Sequence, residues 1–358
     1  MKSDFTKFVF TALPSRVLFG SGRRYEVVEE TRRLGGRRPL ILTTREQATL
    51  GDEVAAQFDT GLFSRFADAT MHTPWDVTAR ALKTVELEGC DCLVAVGGGS
   101  TIGLSKAIAL QTDLPQVVIP TTYAGSEVTP IIGETRNGEK RTQRTLKVLP
   151  EVVIYDVDLT RTLPVPLSVA SGLNAMAHAV EALYAQDANP ITSIMAEEGI
   201  AALASAMPGI VDDPRSEHDR EIAQYGAWLC GTCLGTVSMS LHHKICHVLG
   251  GTFNLPHAET HAVMIPHVTA YNAEAAPAAM TRIARAIGEH DAARGLYNLA
   301  KALGATTALK DIGMPENGLQ RAAELVTQNV YPNPRPPEVG AIRHMLERAW
   351  HGLPPAAV

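Results

Sequence analysis

Short β-branched apolar runs separated by amphipathic stretches fill the first 157 residues, and Ala-rich segments of helical period fill the rest. Residues 39–43 (PLILT), 92–96 (CLVAV), 116–119 (QVVI) and 152–155 (VVIY) are apolar on consecutive positions, the pattern of strands buried on both faces. Spacers such as residues 47–58 and 73–88 are long enough for crossover helices, which predicts a parallel α/β sheet. The pair Asn137-Gly138, between Ile131-Ile132 and residues 145–148, signals a hairpin and hence an antiparallel excursion before the last strand. From Pro164 to Ala349 the pattern is helical, with breaks at Pro190, Pro208, Pro214, Pro256, Pro315 and the cluster at 332–337. We therefore expect an α/β domain over residues 1–157 and an all-helical domain over 158–358.

Composition narrows the function. Lys+Arg 32 against Asp+Glu 38 give a net charge of -6, so no basic field is available to hold a nucleic acid. We read no charged leader with an apolar core and no uninterrupted apolar run of membrane-spanning length, and expect a cytoplasmic protein with no membrane partner. Five cysteines, an odd number, form no disulfide framework and suit a reducing compartment. Cys230-Gly-Thr-Cys233 lies inside a helical pattern, where packing explains it better than redox chemistry.

Two motifs carry chemistry. In the first, the strand Val94-Ala-Val96 runs into Gly97-Gly98-Gly99-Ser100 and a helical stretch. Glycines let the main chain approach a pyrophosphate, and a helix N-terminus offers unpaired N–H groups. The turn is neither a GxGxxG fingerprint nor a P-loop. The next strand leads into Pro120-Thr121-Thr122-Tyr123-Ala124-Gly125-Ser126, which brings the hydroxyls of Thr121, Thr122 and Ser126 to the sheet's carboxyl edge. Lys106 and Lys147 read as flanking charges, with Lys147 also a candidate to reach a cofactor, and the basic stretch 140–144 as a solvated turn. Thr43-Thr44-Arg45 ends the second strand; Thr44 is expected beside the cofactor, no carboxylate is present to select the ribose 2′-hydroxyl, and Arg45 suits a 2′-phosphate. Were a nicotinamide dinucleotide the ligand, these residues would accept both NADH and NADPH.

In the second motif, His243 and His247 lie four residues apart on one helix face, and Pro256-His257 follows after Gly250-Gly251, which should stop that helix. Asn174 and His178 repeat the four-residue spacing upstream, so one amide and four imidazoles are expected to converge. His242, His261 and His267 read as ordinary core or surface histidines.

The glycine turn, residues 121–129, Leu149-Pro150 with Asp156, Asn174 with His178, and the run 243–257 stand in the order and spacing of the iron-containing alcohol dehydrogenase superfamily. The chain resembles that family from Val17-Leu-Phe-Gly20 to about residue 270 and, within it, the branch of maleylacetate reductases. The resemblance implies a dehydroquinate synthase-like fold, with a dinucleotide-binding domain, a helical domain and a cleft holding the nicotinamide. It also implies a homodimer that reduces an enone dicarboxylate in the bacterial catabolism of hydroxylated aromatic rings.

Departures from the wider family point to that branch. Metal-dependent members carry Asp at the position of Asn174 and ligands matching His178, His243 and His257; a neutral amide removes a hard anionic donor, and Lys244 adds positive charge beside the site. Gly103 stands where many members carry Asp. Hydride addition to an enone yields a delocalised enolate that hydrogen-bond donors can stabilise, so we expect no essential metal. His243 and His257 are then expected to polarise the ketone and hold the carboxylates, Lys244 to add charge, His247 to relay a proton, and His178 and Asn174 to orient the substrate. The nearest rival is an iron- or zinc-dependent alcohol or polyol dehydrogenase of the same fold, with the metal on His178, His243 and His257. A zinc peptidase fails because Lys244, not Glu, follows the first histidine, and a non-catalytic binding protein has no use for a phosphate turn and a histidine cavity.

Overall fold

The computed structural model describes residues 7–136 and 139–356. The described chain divides into two compact units, one of residues Leu13–Leu163 and one of residues 164–356 together with residues 7–12.

The first unit is built on strands β1 (Arg16–Phe19), β2 (Pro39–Leu42), β3 (Ser64–Phe66), β4 (Cys92–Gly97), β5 (Gln116–Pro120), β6 (Ile131–Arg136), β7 (Glu139–Arg144) and β8 (Val152–Tyr155). Six of them form one parallel sheet in the order β1-β8-β5-β4-β2-β3. The four apolar runs are its fully buried inner strands, covered by helices α1 (Val27–Arg33), α2 (Ala48–Ala55), α3 (Trp75–Glu88) and α4 (Gly99–Thr112). The edge strands β1 and β3 escape the sequence pattern because they are short and partly exposed.

β6 and β7 pair antiparallel from Ile131↔Arg144 to Arg136↔Glu139. The second arm is thus residues 139–144, not 145–148, and the basic stretch belongs to a strand rather than a turn; Asn137-Gly138 itself lies outside the described residues.

Nine helices make up the described second unit: α5 (Val165–Ala182), α6 (Pro190–Asp212), α7 (Glu217–Thr236), α8 (Leu241–Phe253), α9 (His257–Asn272), α10 (Pro277–Ile287), α11 (Ala292–Ala302), α12 (Leu319–Val326) and α13 (Val339–His351). α5 is buried continuously from Ser168 to Ala182 because α6, α7 and α9 all pack on it. Leu241, Ile245 and Leu249 recur every four residues on α8 and sink into a core shared with Val263, Met264 and Val268 of α9. Truncating any one of the three to alanine should cost about 2–5 kcal/mol. That stripe fixes the rotation of α8, and the rotation fixes where its histidines point.

Three details differ from expectation. Pro208 lies inside α6 rather than ending a helix. α8 runs through Gly250-Gly251 to Phe253 and stops where Asn254 turns left-handed at φ 55°. By length and composition α6 is apolar enough to cross a membrane, although it has no uninterrupted apolar run; it packs against α5, α7 and α10.

Candidate active site

In the α/β unit, β4 ends in the glycine turn and α4 begins at Gly99. A Cβ on Gly97, whose φ is 154°, would lie 2.5 Å from Thr101 Oγ1, and one on Gly98 would lie 2.8 Å from Thr122 Cγ2, so both positions demand glycine. Gly99 faces open space, Ser100 follows it half-buried, and no side chain caps α4. The first N–H groups of α4 are therefore open to an anion.

Thr121 braces the turn, its N–H bonding the Gly97 carbonyl at 3.1 Å and its hydroxyl accepting from Gln47 Nε2 at 2.8 Å. Thr122 Oγ1 and Ser126 Oγ are buried without a hydrogen-bond partner among the described residues. Orphaned hydroxyls beside an uncapped helix fit a dinucleotide phosphate and its flanking polar groups. Thr44 sits half-buried just beyond β2.

The two lysines differ: Lys147 is the flanking charge expected, and Lys106 is not. Lys106 is buried, its Nζ donating to the carbonyls of Ser126, Thr129 and Ile131 at 2.5–2.9 Å, so it pins the hydroxyl-bearing loop instead of flanking a helix. Burial pushes its ammonium down to about 7, against the pull of Glu127. Lys147 pairs with Asp113 at 3.6 Å, and Asp113 caps the C-terminal end of α4. A fourteen-residue helix is roughly 21 Å long, which sets Lys147 at the end opposite the turn. Arg45 is largely exposed and pairs with Asp68 at 2.7 Å, so a carboxylate from the loop after β3 stands where the sequence offered none.

In the helical unit α5, α8 and α9 bring imidazoles together. His178 Nδ1 lies 3.1 Å from His243 Nε2, and the two rings stack with centroids 5.1 Å apart. His243 Nδ1 meets Glu181, a fully buried carboxylate whose other oxygen accepts the His242 N–H at 2.8 Å and the His243 N–H at 3.3 Å. Burial would raise the Glu181 carboxyl, but the charge and hydrogen bonds of His243 outweigh it and hold it below its ordinary value. Both ring nitrogens of His243 are thus engaged, by Glu181 and by His178.

Asn174 is buried one turn before His178 on α5. Half-buried His257 opens α9 with its ring centroid 4.4 Å from that of His261. His247 Nδ1 lies 3.3 Å from the Tyr331 hydroxyl, with its ring 6.0 Å from that of His243, and Lys244 Nζ stands 5.8 Å from the Tyr331 ring centre. Partial burial lowers the Lys244 ammonium.

Sequence reasoning missed Glu181, Tyr331, His242 and His261. His242 Nε2 is 2.9 Å from His261 Nδ1, and both are fully buried. Burial, reinforced by neighbouring imidazoles, drives both far below the ordinary histidine value and keeps them neutral. The one signal for Glu181 was its place three residues after His178 on an otherwise uncharged helix. Among the described residues, His178, His243 and His261 bring ligand nitrogens within 4.8 Å of one another, and so do His242, Cys246 and His261 with their ligand atoms; His257 is in neither group. That donor set, with Glu181 behind His243, also fits a divalent cation.

An iron-containing alcohol dehydrogenase model matches residues 14–157, and the C-terminal model of the same family matches residues 168–350. The similarity therefore continues well beyond residue 270. The chain is 53% identical to the maleylacetate reductase of Rhizobium sp. strain MTP-10005 over 97% of this chain and 99% of that one. The crystal structure of a maleylacetate reductase from that strain superposes with a TM-score of 0.93, covering 98% of this chain and 100% of the other at 53% identity. A putative alcohol dehydrogenase from Ralstonia eutropha JMP134 superposes with a TM-score of 0.96 at 52% identity, covering 98% and 99% of the two chains. The chain belongs to the iron-containing alcohol dehydrogenase family of oxidoreductases.

Proposed function

We propose that this protein reduces the C=C bond of maleylacetate to give 3-oxoadipate with NADH or NADPH. The observation that carries this reading is the 53% identity, over nearly the whole chain, to a maleylacetate reductase. When bound, the reduced nicotinamide supplies the hydride. Hydride adds to the alkene carbon β to the ketone, the π electrons move onto the ketone oxygen, and a proton taken up at the neighbouring carbon restores the ketone. The alkene is reduced and the nicotinamide oxidised.

The chain's own work is to bind a dianion and stabilise the enolate. Asn174 and His178 orient the substrate, His257 and Lys244 face its carboxylates, and His247, next to Tyr331, handles the proton. His243 is the link between Glu181 and His178. The glycine turn, Thr122 and Ser126 hold the cofactor phosphates. The protein works as a cytoplasmic homodimer in this reading; five buried free thiols suit a reducing compartment.

A second reading, a metal-dependent alcohol dehydrogenase, is favoured by the clustering of His178, His243 and His261. Following nicotinamide oxidation with maleylacetate, and with simple aldehydes as controls, tests the first. Turnover of maleylacetate that survives chelation supports it; aldehyde turnover that requires added iron or zinc replaces it with the second.

A further inference from the structure

Within the histidine cluster, one buried ring nitrogen stands without a hydrogen-bond partner among the described residues. His243 uses both of its nitrogens, and His242 Nε2 faces His261 Nδ1. His261 Nε2 is buried with no hydrogen-bond partner among the described residues, although its ring lies 4.4 Å from that of His257, 4.8 Å from His242, 5.2 Å from His243 and 5.9 Å from His178. Native folds rarely strand a polar atom in this way unless a ligand completes it. Here the atom belongs to a residue that is 0% exposed and ringed by four other imidazoles.

We propose that His261 is a catalytic residue whose Nε2–H donates to the ketone oxygen of the substrate and stabilises the negative charge that forms there. This rests on the reading of the chain as an enone reductase. With its proton on Nε2, His242 donates to His261 Nδ1, and a neutral His261 then carries its own proton on Nε2, the nitrogen without a partner among the described residues. Cys246 Sγ, 3.7 Å from the same His242 nitrogen, shares that proton as a weak acceptor. A neutral donor in a water-excluded site stabilises an oxyanion without holding it after the proton arrives.

Two substitutions separate this role from packing. H261N keeps an acceptor for His242 through Oδ1 but removes the outer donor; H261Q places an amide N–H close to the lost Nε2. We expect H261N to lose about a hundredfold in kcat, with KM for NADH unchanged, and H261Q to retain clearly more activity. H261N matching the wild type, or outperforming H261Q, overturns the proposal. If neither variant folds, the wild-type holoenzyme with 13C-ketone-labelled 3-oxoadipate decides: a bound ketone stretch at lower frequency than in water supports the donor, and an unshifted one overturns it. Wild-type protein that does not turn over maleylacetate defeats the proposed function itself; wild-type turnover with an indifferent His261 defeats only this inference.

Discussion

The glycine turn and the histidine cluster bind by opposite means. At the turn the main chain does the work: Gly97 and Gly98 fit where no side chain can, Gly99 is open, and the nearby cation, Lys106, is spent on loop carbonyls. In the cluster side chains do the work, and Glu181, His242, His243 and His261 are all at most 2% exposed. A site of fixed main-chain dipoles is indifferent to protonation, whereas a site of buried imidazoles is defined by where each proton sits. The cluster should therefore be the fragile one, sensitive to single substitutions and to acid.

Glu181 is the sharpest test of that difference. Glu181→Leu strands the His243 ring N–H and two main-chain N–H groups in the core, and should destabilise the protein by about 3–5 kcal/mol in urea unfolding. Glu181→Gln keeps an oxygen for the two main-chain donors but turns an amide N–H toward His243 Nδ1. It should lose less stability and still lose most of its kcat. A Glu181→Leu protein as stable as the native one would show that the cluster does not depend on its anion.

Acid comes next. Burial, with a contribution from Arg348, depresses His267 to about 4, and burial also lowers His242 and His261 well below the ordinary histidine value. The unfolded chain takes up protons near pH 6.5 while these folded histidines refuse them, so their stabilisation is complete above 6.5 and is lost as pH falls toward 4. Each should contribute a slope of about 1.4 kcal/mol per pH unit in that window. Peptides from α8 and α9 should lose hydrogen-exchange protection before those from β4 and β5, and His267→Leu should flatten the slope by one proton. Simultaneous loss in both regions would break the contrast.

The same contrast explains what the sequence revealed. The turn is local: an apolar strand, three glycines and a helix occupy consecutive positions, and the inner strands announce themselves by continuous apolar runs. The i, i+4 pairs on α5 and α8 were legible for the same reason. Glu181 was not, because the ring it holds lies 62 residues away, and His261 was not, because only the packing of α9 on α8 turns an ordinary helical histidine toward His242. Chain distance from the last strand did not reveal which end of α4 Lys147 meets.

A smaller effect probes the turn from the other side. Gly99→Ala adds a methyl group where nothing lies within 4 Å, in the first turn of α4, so unfolding should be unchanged. The methyl group projects into the space left for a phosphate, and KM for the reduced nicotinamide should rise on the order of tenfold with kcat retained. A mutant with weakened unfolding and normal KM would mean that the turn is structural.

The smallest effect concerns the choice between the two nicotinamides. Arg45 is exposed, and Asp68 holds it at 2.7 Å while also facing Arg80. A 2′-phosphate competes with Asp68 for the guanidinium, whereas a free ribose hydroxyl is served by the carboxylate once Arg45 swings away. Arg45→Ala should therefore lower kcat/KM for NADPH several-fold and leave that for NADH unchanged or slightly raised; Asp68→Asn should shift the ratio the other way. Because both side chains sit at the surface, neither substitution should alter the unfolding midpoint. Equal changes with both cofactors would place the pair outside the adenosine site and leave the main chain as the turn's sole contribution to binding.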